Sequence, residues 1–322
     1  MKYLITGGAG FIGSNISHEL VKRGEDVRII DNFSTGNKVN VSDIADKIEI
    51  VDGDIRDYWT VLEAMAGIDY VLHQAALPSV PRSISNPLTT NTVNIDGTLN
   101  LLEASKIAGV KRFVMASSSS VYGDTPKLPK CEDMTTDPLS PYAVTKLANE
   151  KYCKVFYELY GLETVCLRYF NIFGPRQDPQ SEYAAVIPKF ITALLNGRQP
   201  VVYGDGEQSR DFTFISNAVD ANLLATTAAM APGKYYNIAC GAQYTLNDLL
   251  NMLREIIGSD VEAKYTPPHP GDIKHSFADI ELARKELNFD PKVDFKAGLK
   301  KTVEWFAKLQ SSQTPSGGIR LK

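Results

Sequence analysis

The chain has 322 residues, 43% of them hydrophobic and 22% charged, with a formal net charge of −4 and a pI near 5.7. That is ordinary for a globular protein of one large domain or two unequal ones. It lacks the basic field that a nucleic-acid partner requires, and no apolar run reaches the roughly 18 residues that span a bilayer.

The first run, Leu4-Ile5-Thr6, breaks at once into glycines, so no secretory leader is expected there. A soluble cytoplasmic protein is expected. After the strand comes Gly7-Gly8-Ala9-Gly10-Phe11-Ile12-Gly13, then an amphipathic helix over Phe11 to Arg23. Gly8, Gly10 and Gly13 fit G-x-G-x-x-G, and Gly7, Gly10 and Gly13 fit G-x-x-G-x-x-G. Either way, a turn free of Cβ atoms lets a diphosphate approach the backbone at a helix N-terminus. Strand before and helix after are the context this motif needs.

A second strand, Val27 to Ile30, ends at Asp31, 18 residues past Gly13. An acid there suits a ribose 2′-hydroxyl and repels a 2′-phosphate, which favours NAD over NADP. Capping of the turn with Asn32 and Ser34 is the competing role. Asp54 follows a third strand, Ile48 to Val51, where an adenine edge or a turn cap fits equally well. Strands at Tyr70 to His73, Arg112 to Met115 and Val165 to Arg168 continue the series, separated by long helices over about Pro87 to Ala108 and Pro141 to Tyr160. Strands alternating with helices imply βαβ units, so a Rossmann-type, doubly wound parallel α/β sheet is expected.

Ser117 to Ser120 follow the fifth strand, at the sheet edge where ligands sit. Tyr142 and Lys146, four apart, share a helix face. A tyrosine pKa near 10 suits neutral pH poorly. A nearby ammonium and a cationic nicotinamide would lower it. A surface helix and a polar loop are the plain alternatives.

After Phe170 the loops lengthen and Pro, Gly and Asp cluster, with short helices near Ser216 to Met230 and Leu246 to Ile257. Residues 1–170 are expected to form the cofactor domain, to which about 212–240 could return. Residues 171–310 are expected to form a smaller C-terminal α/β substrate-binding region, and 311–322 a flexible tail. Cys131, Cys153, Cys166 and Cys240 form no C-x-x-C pair. The four histidines show no paired ligand spacing, so reduced thiols and no metal are expected.

T-G-G-A-G-F-I-G, D-N-F-S-T-G, G-D-I-R-D, H-Q-A-A, N-x-x-G-T, S-S-S-S-V-Y-G, P-Y-A-V-T-K, L-R-Y-F-N-I-F-G and S-R-D-F recur together from Met1 to about Leu309. As a set they closely resemble the extended short-chain dehydrogenase/reductases, and within them the UDP-sugar 4-epimerases. The resemblance implies that Gly7, Gly10, Phe11, Ile12 and Gly13 hold the pyrophosphate of NAD. Asp31, Asn32, Ser34, Thr35 and Gly36 would surround the adenosine ribose, and Asp54 and Ile55 would flank adenine. Ala75, Ala76, Asn94 and Phe170 would line the rest of the cofactor channel. Ser118, Tyr142 and Lys146 would be catalytic. Asn171, Val186, Val201, Tyr203 and Arg210 would bind the UDP moiety, with Ser79, Arg82, Asp272 and Ser276 near the sugar or diphosphate. For Arg210, a surface ion pair with Asp205 or Asp211 competes.

The reaction so implied is reversible oxidation at the sugar C4, with Tyr142 as base, Ser118 orienting the hydroxyl and Lys146 holding the nicotinamide ribose. Related dehydratases and decarboxylases carry an acid just before V-Y-G, where this chain has Ser120. The segment Gly174 to Pro179, with Tyr183 to Pro188, resembles epimerases that accept N-acetylhexosamines, and Ser276 matches a place where glucose-restricted relatives carry tyrosine. Volume for an acetamido group follows, so UDP-GlcNAc/UDP-GalNAc are the expected substrates, with UDP-Glc/UDP-Gal as further ones. UDP-glucuronate 4-epimerisation, net sugar-nucleotide oxidation and a non-catalytic dinucleotide sensor are the alternatives. His269, where relatives often place arginine, and Pro78, where some place lysine, depart from the pattern. A homodimer through the two long helices is implied, against the plainer packing of those helices on their own sheet.

Overall fold

A computed structural model describes residues 1–179, 185–268 and 274–313. Seven strands form the central sheet: β1 (Lys2–Thr6), β2 (Asp26–Asp31), β3 (Glu49–Asp52), β4 (Tyr70–His73), β5 (Arg112–Ser118), β6 (Thr164–Tyr169) and β11 (Lys234–Ile238). Their order is β3-β2-β1-β4-β5-β6-β11, and every pairing is parallel. Strand order reverses beside β1, which opens a crevice at the carboxyl ends of β1 and β4.

Side chains alternate along these strands, and both faces are covered. Ile5, Ile29, Leu72, Val114 and Val165 face one core with Ile16 and Leu20 of α1 (Phe11–Lys22) and Val219 and Leu223 of α8 (Ile215–Thr227). Leu4, Ile30, Val71, Phe113 and Cys166 face the other. There they meet α2 (Tyr58–Ala64), α5 (Gly97–Ala108) and α6 (Pro141–Tyr160) through Val61, Leu101, Cys153 and Phe156. Burial on both faces is why these strands read as continuous apolar runs rather than alternating ones.

The helix over 87–108 is one run in three parts. α3 (Val80–Ser85) precedes it. It then continues through α4 (Pro87–Asn91), a π turn over Thr92–Asp96, and α5. α6 starts on Pro141, with the Ser140 hydroxyl accepting from the Ala143 N–H at 3.2 Å. It stops at Gly161 in the left-handed region. These are the residues a helix start and stop require.

The second region is stitched from two short parallel pairs, β7 (Ile172–Phe173) with β10 (Thr213–Phe214) and β8 (Val201–Tyr203) with β13 (Lys264–Thr266). β9 (Ser209–Arg210) pairs antiparallel with β12 (Tyr244–Thr245). Around them lie α7 (Val186–Leu195), α9 (Leu246–Ile257), α10 (Glu281–Leu287) and α11 (Phe295–Gln313). Phe295 is the hub: its ring lies 4.5 Å from Tyr244, 4.9 Å from Phe212 and 5.5 Å from Phe173, centroid to centroid. The segment 212–240 supplies α8 and β11 to the sheet layer, so the chain re-enters it from the second region. The helix read as Ser216 to Met230 stops three residues early, at Thr227, where Ala228 turns to extended backbone. α11 runs to Gln313, so the first residues of the expected tail are helical.

Candidate active site

β1 ends at Thr6, and the chain turns through Gly7 at φ +65°. A Cβ on Gly7 would lie 2.9 Å from the Ala75 backbone, and one on Gly13 would lie 2.2 Å from the Gly7 carbonyl oxygen. Neither neighbour can retreat, because both are main chain, one in the loop after β4 and the other in the glycine turn itself. With no side chains between, the first-turn N–H groups of Phe11, Ile12 and Gly13 face outward without intrahelical acceptors. They sit at the positive end of the α1 dipole and form a cradle for a diphosphate.

Asp31 closes the next strand. Its carboxylate accepts from the Ala9 N–H at 2.9 Å and the Phe33 N–H at 2.8 Å. Burial pushes its pKa up, and the two N–H donors oppose that. Gly36 passes so close that a Cβ would lie 2.7 Å from the same carboxylate. Asp31 thus ties the glycine loop to the turn after β2, and it still lines the cleft. Asp54 pairs with Arg56 at 2.7 Å and accepts from Asn32 Nδ2 at 2.8 Å. The Arg56 guanidinium holds its pKa at about 2. Asn32 in turn accepts from the Ser34 N–H at 3.1 Å.

These residues wall a cleft of about 2320 Å³. Of the cofactor set, Gly7, Gly10, Phe11, Ile12, Gly13, Asp31, Asn32, Ser34, Thr35, Gly36, Asp54, Ile55, Ala75 and Ala76 line it. Ser79 and Arg82 of the substrate set line it too. The Ser79 hydroxyl caps α3, accepting from the Arg82 N–H at 3.1 Å. Asn94 is buried behind the wall, where its Oδ1 accepts from the Leu77 N–H at 2.8 Å and its Nδ2 donates to Thr145 Oγ1 at 3.0 Å. Phe170 is fully buried against Tyr122. A cradle that side chains would fill, an acid at the second strand and an apolar slot beside β4 fit a dinucleotide.

Ser118, Tyr142 and Lys146 are not in the cleft wall but gather at the end of β5. α6 meets that strand end rung by rung. Tyr142 is hydrogen-bonded to Ser118, Glu150 Oε1 accepts from Ser117 Oγ at 2.5 Å, and Lys146 Nζ donates to the Ala116 carbonyl at 2.7 Å. Lys146 Nζ lies 5.9 Å from the Tyr142 ring centroid. Burial pushes the Tyr142 pKa up to about 12, and Ser118 opposes it. Burial also pulls Lys146 down to about 8. Ser118 Oγ accepts from Ser120 Oγ at 2.9 Å, so the place before Val121 holds a hydroxyl and no acid.

The remaining substrate candidates are scattered around β7 to β9 and lie outside that wall. Asn171, at φ +39°, donates to the Asp211 carbonyl at 3.1 Å and so steadies the turn into β10. Val186 opens α7 half-buried. Val201 and Tyr203 are each 41% exposed at the ends of β8. Arg210 Nη1 donates to the carbonyls of Ser209 and Lys274 at 2.8 and 3.2 Å. Of the carboxylates suggested as its ion-pair partners, Asp211 accepts from the Cys240 N–H, and Asp205 from the Glu207 N–H. Ser276 N–H donates to the Ser209 carbonyl at 3.0 Å, which brings Ser276 beside Arg210. Asp272 lies outside the described residues, as do Tyr183, Ala184 and His269.

Further residues line or back the site. Arg176, at φ +71°, lines the cleft and donates to Asn15 Oδ1 at 3.1 Å. Gln177 lines it as well. Glu150 and Arg168 stand behind the Tyr142–Lys146 pair. Glu150 carried one available signal, the repeat of the four-residue spacing from Tyr142 through Lys146.

Residues 3–239 match the NAD dependent epimerase/dehydratase family. The UDP-glucose 4-epimerase of Mycolicibacterium smegmatis is 39% identical over 310 residues, which cover 95% of this chain and 98% of that one. The solved UDP-N-acetylglucosamine 4-epimerase of Methanobrevibacter ruminantium, in complex with UDP-N-acetylmuramic acid, is 44% identical with a TM-score of 0.92 over 96% of this chain and 98% of its own. The Thermus thermophilus UDP-glucose 4-epimerase, in complex with NAD, is 36% identical with a TM-score of 0.87, covering 95% and 99%. With the glycine cradle, the reversed strand order and the Tyr–Lys helix in one frame, the chain belongs to the NAD dependent epimerase/dehydratase family, whose UDP-sugar 4-epimerases are its homologues and structural neighbours.

Proposed function

We propose that the protein is an NAD-dependent UDP-hexose 4-epimerase whose preferred substrates are UDP-GlcNAc and UDP-GalNAc, with UDP-Glc and UDP-Gal turned over as well. The observation that carries the reading is the alignment of Tyr142 with Ser118 and of Lys146 with the Ala116 carbonyl at the carboxyl end of β5, next to a cradle shaped for a dinucleotide. Phe11, Ile12 and Gly13 would hold the pyrophosphate of NAD, and Asp31 with Ser34 to Gly36 the adenosine ribose. NAD, when bound, supplies a reversible hydride acceptor.

The chain's own residues do the rest. Ser118 orients the sugar 4-hydroxyl. Tyr142 takes its proton and later gives it back. Lys146 places a cation beside Tyr142, which favours the phenolate against the burial that disfavours it. The pocket must let a flat 4-keto sugar turn over between the two hydride transfers. A hydroxyl at Ser120 in place of an acid leaves elimination without its catalyst. Asn171, Val186, Val201, Tyr203 and Arg210 would hold the UDP moiety, and Ser276 would leave room for an acetamido group beside it.

The exposed outer face of the helix pair supports a homodimer. Leu88 is 79% exposed on α4, and Val144, Val155 and Leu159 of α6 are 49%, 40% and 71% exposed. Light scattering that gives a stable monomer would overturn that part. Among the described residues no helix is long and apolar enough to cross a membrane, and the cytoplasm is the compartment we assign. Residues 1–170 with the return segment 212–240 form the cofactor part in this reading, and 171–310 mainly the nucleotide-sugar part.

The test is proton NMR of the purified protein with UDP-GlcNAc and no added reductant. Drift toward a mixture with UDP-GalNAc is expected. Turnover of UDP-Glc or UDP-glucuronate alone would keep the mechanism and overturn the substrate. No turnover of any of them would leave a dinucleotide-binding protein without this activity.

A further inference from the structure

Tyr142, Lys146 and Glu150 occupy successive turns of one face of α6, and the mechanism above uses only the first two. Glu150 is 2% exposed, a costly place for a carboxylate. Arg168, itself 1% exposed, donates through Nε to Oε1 at 2.8 Å and through Nη2 to Oε2 at 2.7 Å. Ser117 adds its hydroxyl to Oε1 at 2.5 Å. The guanidinium is sandwiched between the rings of Tyr122 and Tyr235, at 4.8 and 4.1 Å from their centroids, and donates to Tyr122 Oη at 2.9 Å. The carboxylate is thus fixed by three hydrogen bonds from two residues, one of them Ser117, which precedes Ser118.

A buried ion pair is weak evidence for stability, because well-packed apolar residues often do as well. Its position has to be explained otherwise. We propose that Glu150, fixed by Arg168 and Ser117, is a positioning residue that keeps Lys146 protonated and in register with Ser118 and Tyr142. The inference rests on the 4-epimerase reading for its catalytic meaning, but the lysine's charge state is a property of the protein alone.

The groups facing Lys146 are few. Tyr142, Glu150 and Cys153 do so from its own helix, Cys166 from β6 and His73 from β4, while β5 offers only Ala116 and Ser117. The Cys166 thiol is held well above its usual range by its hydrogen bond with Cys153 and by burial, so it is neutral where Lys146 titrates. His73 is pulled down to about 3 by burial and by Lys146 itself, and is neutral there too. Burial pulls the Lys146 pKa to about 8, and Cys166, Cys153 and Glu150, in that order, oppose it; Glu150 is the one carboxylate among these groups. Without it, the lysine would shed its proton nearer neutrality, and Tyr142 would lose the cation that supports its phenolate.

The experiment is NMR titration of the ¹⁵N-labelled Lys146 side chain in the NAD-loaded protein, beside the pH profile of kcat/KM. In Glu150→Gln, Arg168 is left unbalanced, and the lysine titration and the basic limb should both move down by roughly one pH unit. In the double variant Glu150→Gln, Arg168→Met the nearer negative and the farther positive charge go together. The shift should keep its sign and shrink. Should the single variant not fold, the double variant carries the test. Ser117→Ala keeps both charges and should leave the lysine titration in place. A lysine titration unmoved in the Glu150 variants, whatever their thermal stability, would overturn the proposal. Absence of epimerisation with the lysine shifted as expected would instead sink the functional reading and leave the electrostatic role standing.

Discussion

Thr98 Oγ1 lies 2.8 Å from His73 Nε2 and gives its own proton to the Asn94 carbonyl at 2.5 Å, so the imidazole must be the donor between them. Nδ1 is then the acceptor, from Thr6 Oγ1 at 2.7 Å, and Thr6 Oγ1 in turn accepts from the Ala75 N–H at 3.1 Å. The accounting leaves His73 neutral with its proton on Nε2. A buried neutral ring thereby ties the end of β1, under the glycine loop, to the π turn at Asn94.

Acid should therefore weaken this fold through His73. Burial, then Lys146, pulls its folded pKa from 6.5 down to about 3. Between those values the unfolded chain binds a proton that the folded chain refuses. Stability is intact above pH 6.5 and falls as pH drops toward 3, by up to ~1.4 kcal/mol per pH unit. Urea unfolding of His73→Gln at pH 4, 5, 6 and 7 should show a shallower pH slope than the wild type, with a lower plateau at pH 7. An unchanged slope would show that the ring is not the proton site.

Tyr142→Phe should leave the cofactor bound and remove turnover. Loss of a general base costs roughly 10²–10⁴-fold in kcat. Absorbance of co-purifying dinucleotide, read beside the NMR assay, separates a lost base from a lost cradle.

Ser276→Tyr should discriminate between substrates rather than lower all of them. UDP-GlcNAc turnover should fall at least about tenfold while UDP-Glc turnover persists, since filling an acetamido-sized space is worth roughly 1–3 kcal/mol. Equal turnover of UDP-GlcNAc by variant and wild type would remove Ser276 from the pocket.

Gly13→Ala forces a methyl to within 2.2 Å of the Gly7 carbonyl. Overpacking of this kind costs roughly 1–3 kcal/mol. The loop can relieve it only by opening the cradle. Calorimetry should report a lower Tm together with weaker NAD binding. A variant that loses Tm but keeps NAD affinity would mean that the strain is relieved elsewhere.

The elements that sequence reading found are those whose cause is local. β1, β2, β4, β5 and β6 are short apolar runs because both faces are largely buried, and α6 carries its start and stop in Ser140, Pro141 and Gly161. Tyr142 and Lys146 were legible for the same reason, as two positions on one helix face. The π turn over Thr92–Asp96 was not. Its residues read as plain helix, and tertiary partners hold it, with Asn149 Nδ2 donating to the Asn94 carbonyl at 2.8 Å. The two-residue strands β7, β9, β10 and β12 are too short for any periodicity. Arg168 lies 18 residues from Glu150 and on another element, so only the folded sheet reveals the pair. Val201 and Tyr203, named from the family resemblance, lie exposed at the ends of β8.

β6 is buried along its whole length because β11, arriving much later in the chain, pairs with its outer edge. During synthesis the ribosome releases Tyr169 well before Lys234, and at about 5–20 residues per second the sheet waits several seconds for its border. Through that interval β6 offers a row of unpaired N–H and C=O groups to any passing strand. A gene cut after the sixth strand would make the interval permanent. The two products would behave as sticky fragments, not as a cofactor module and a sugar module that can be exchanged between enzymes.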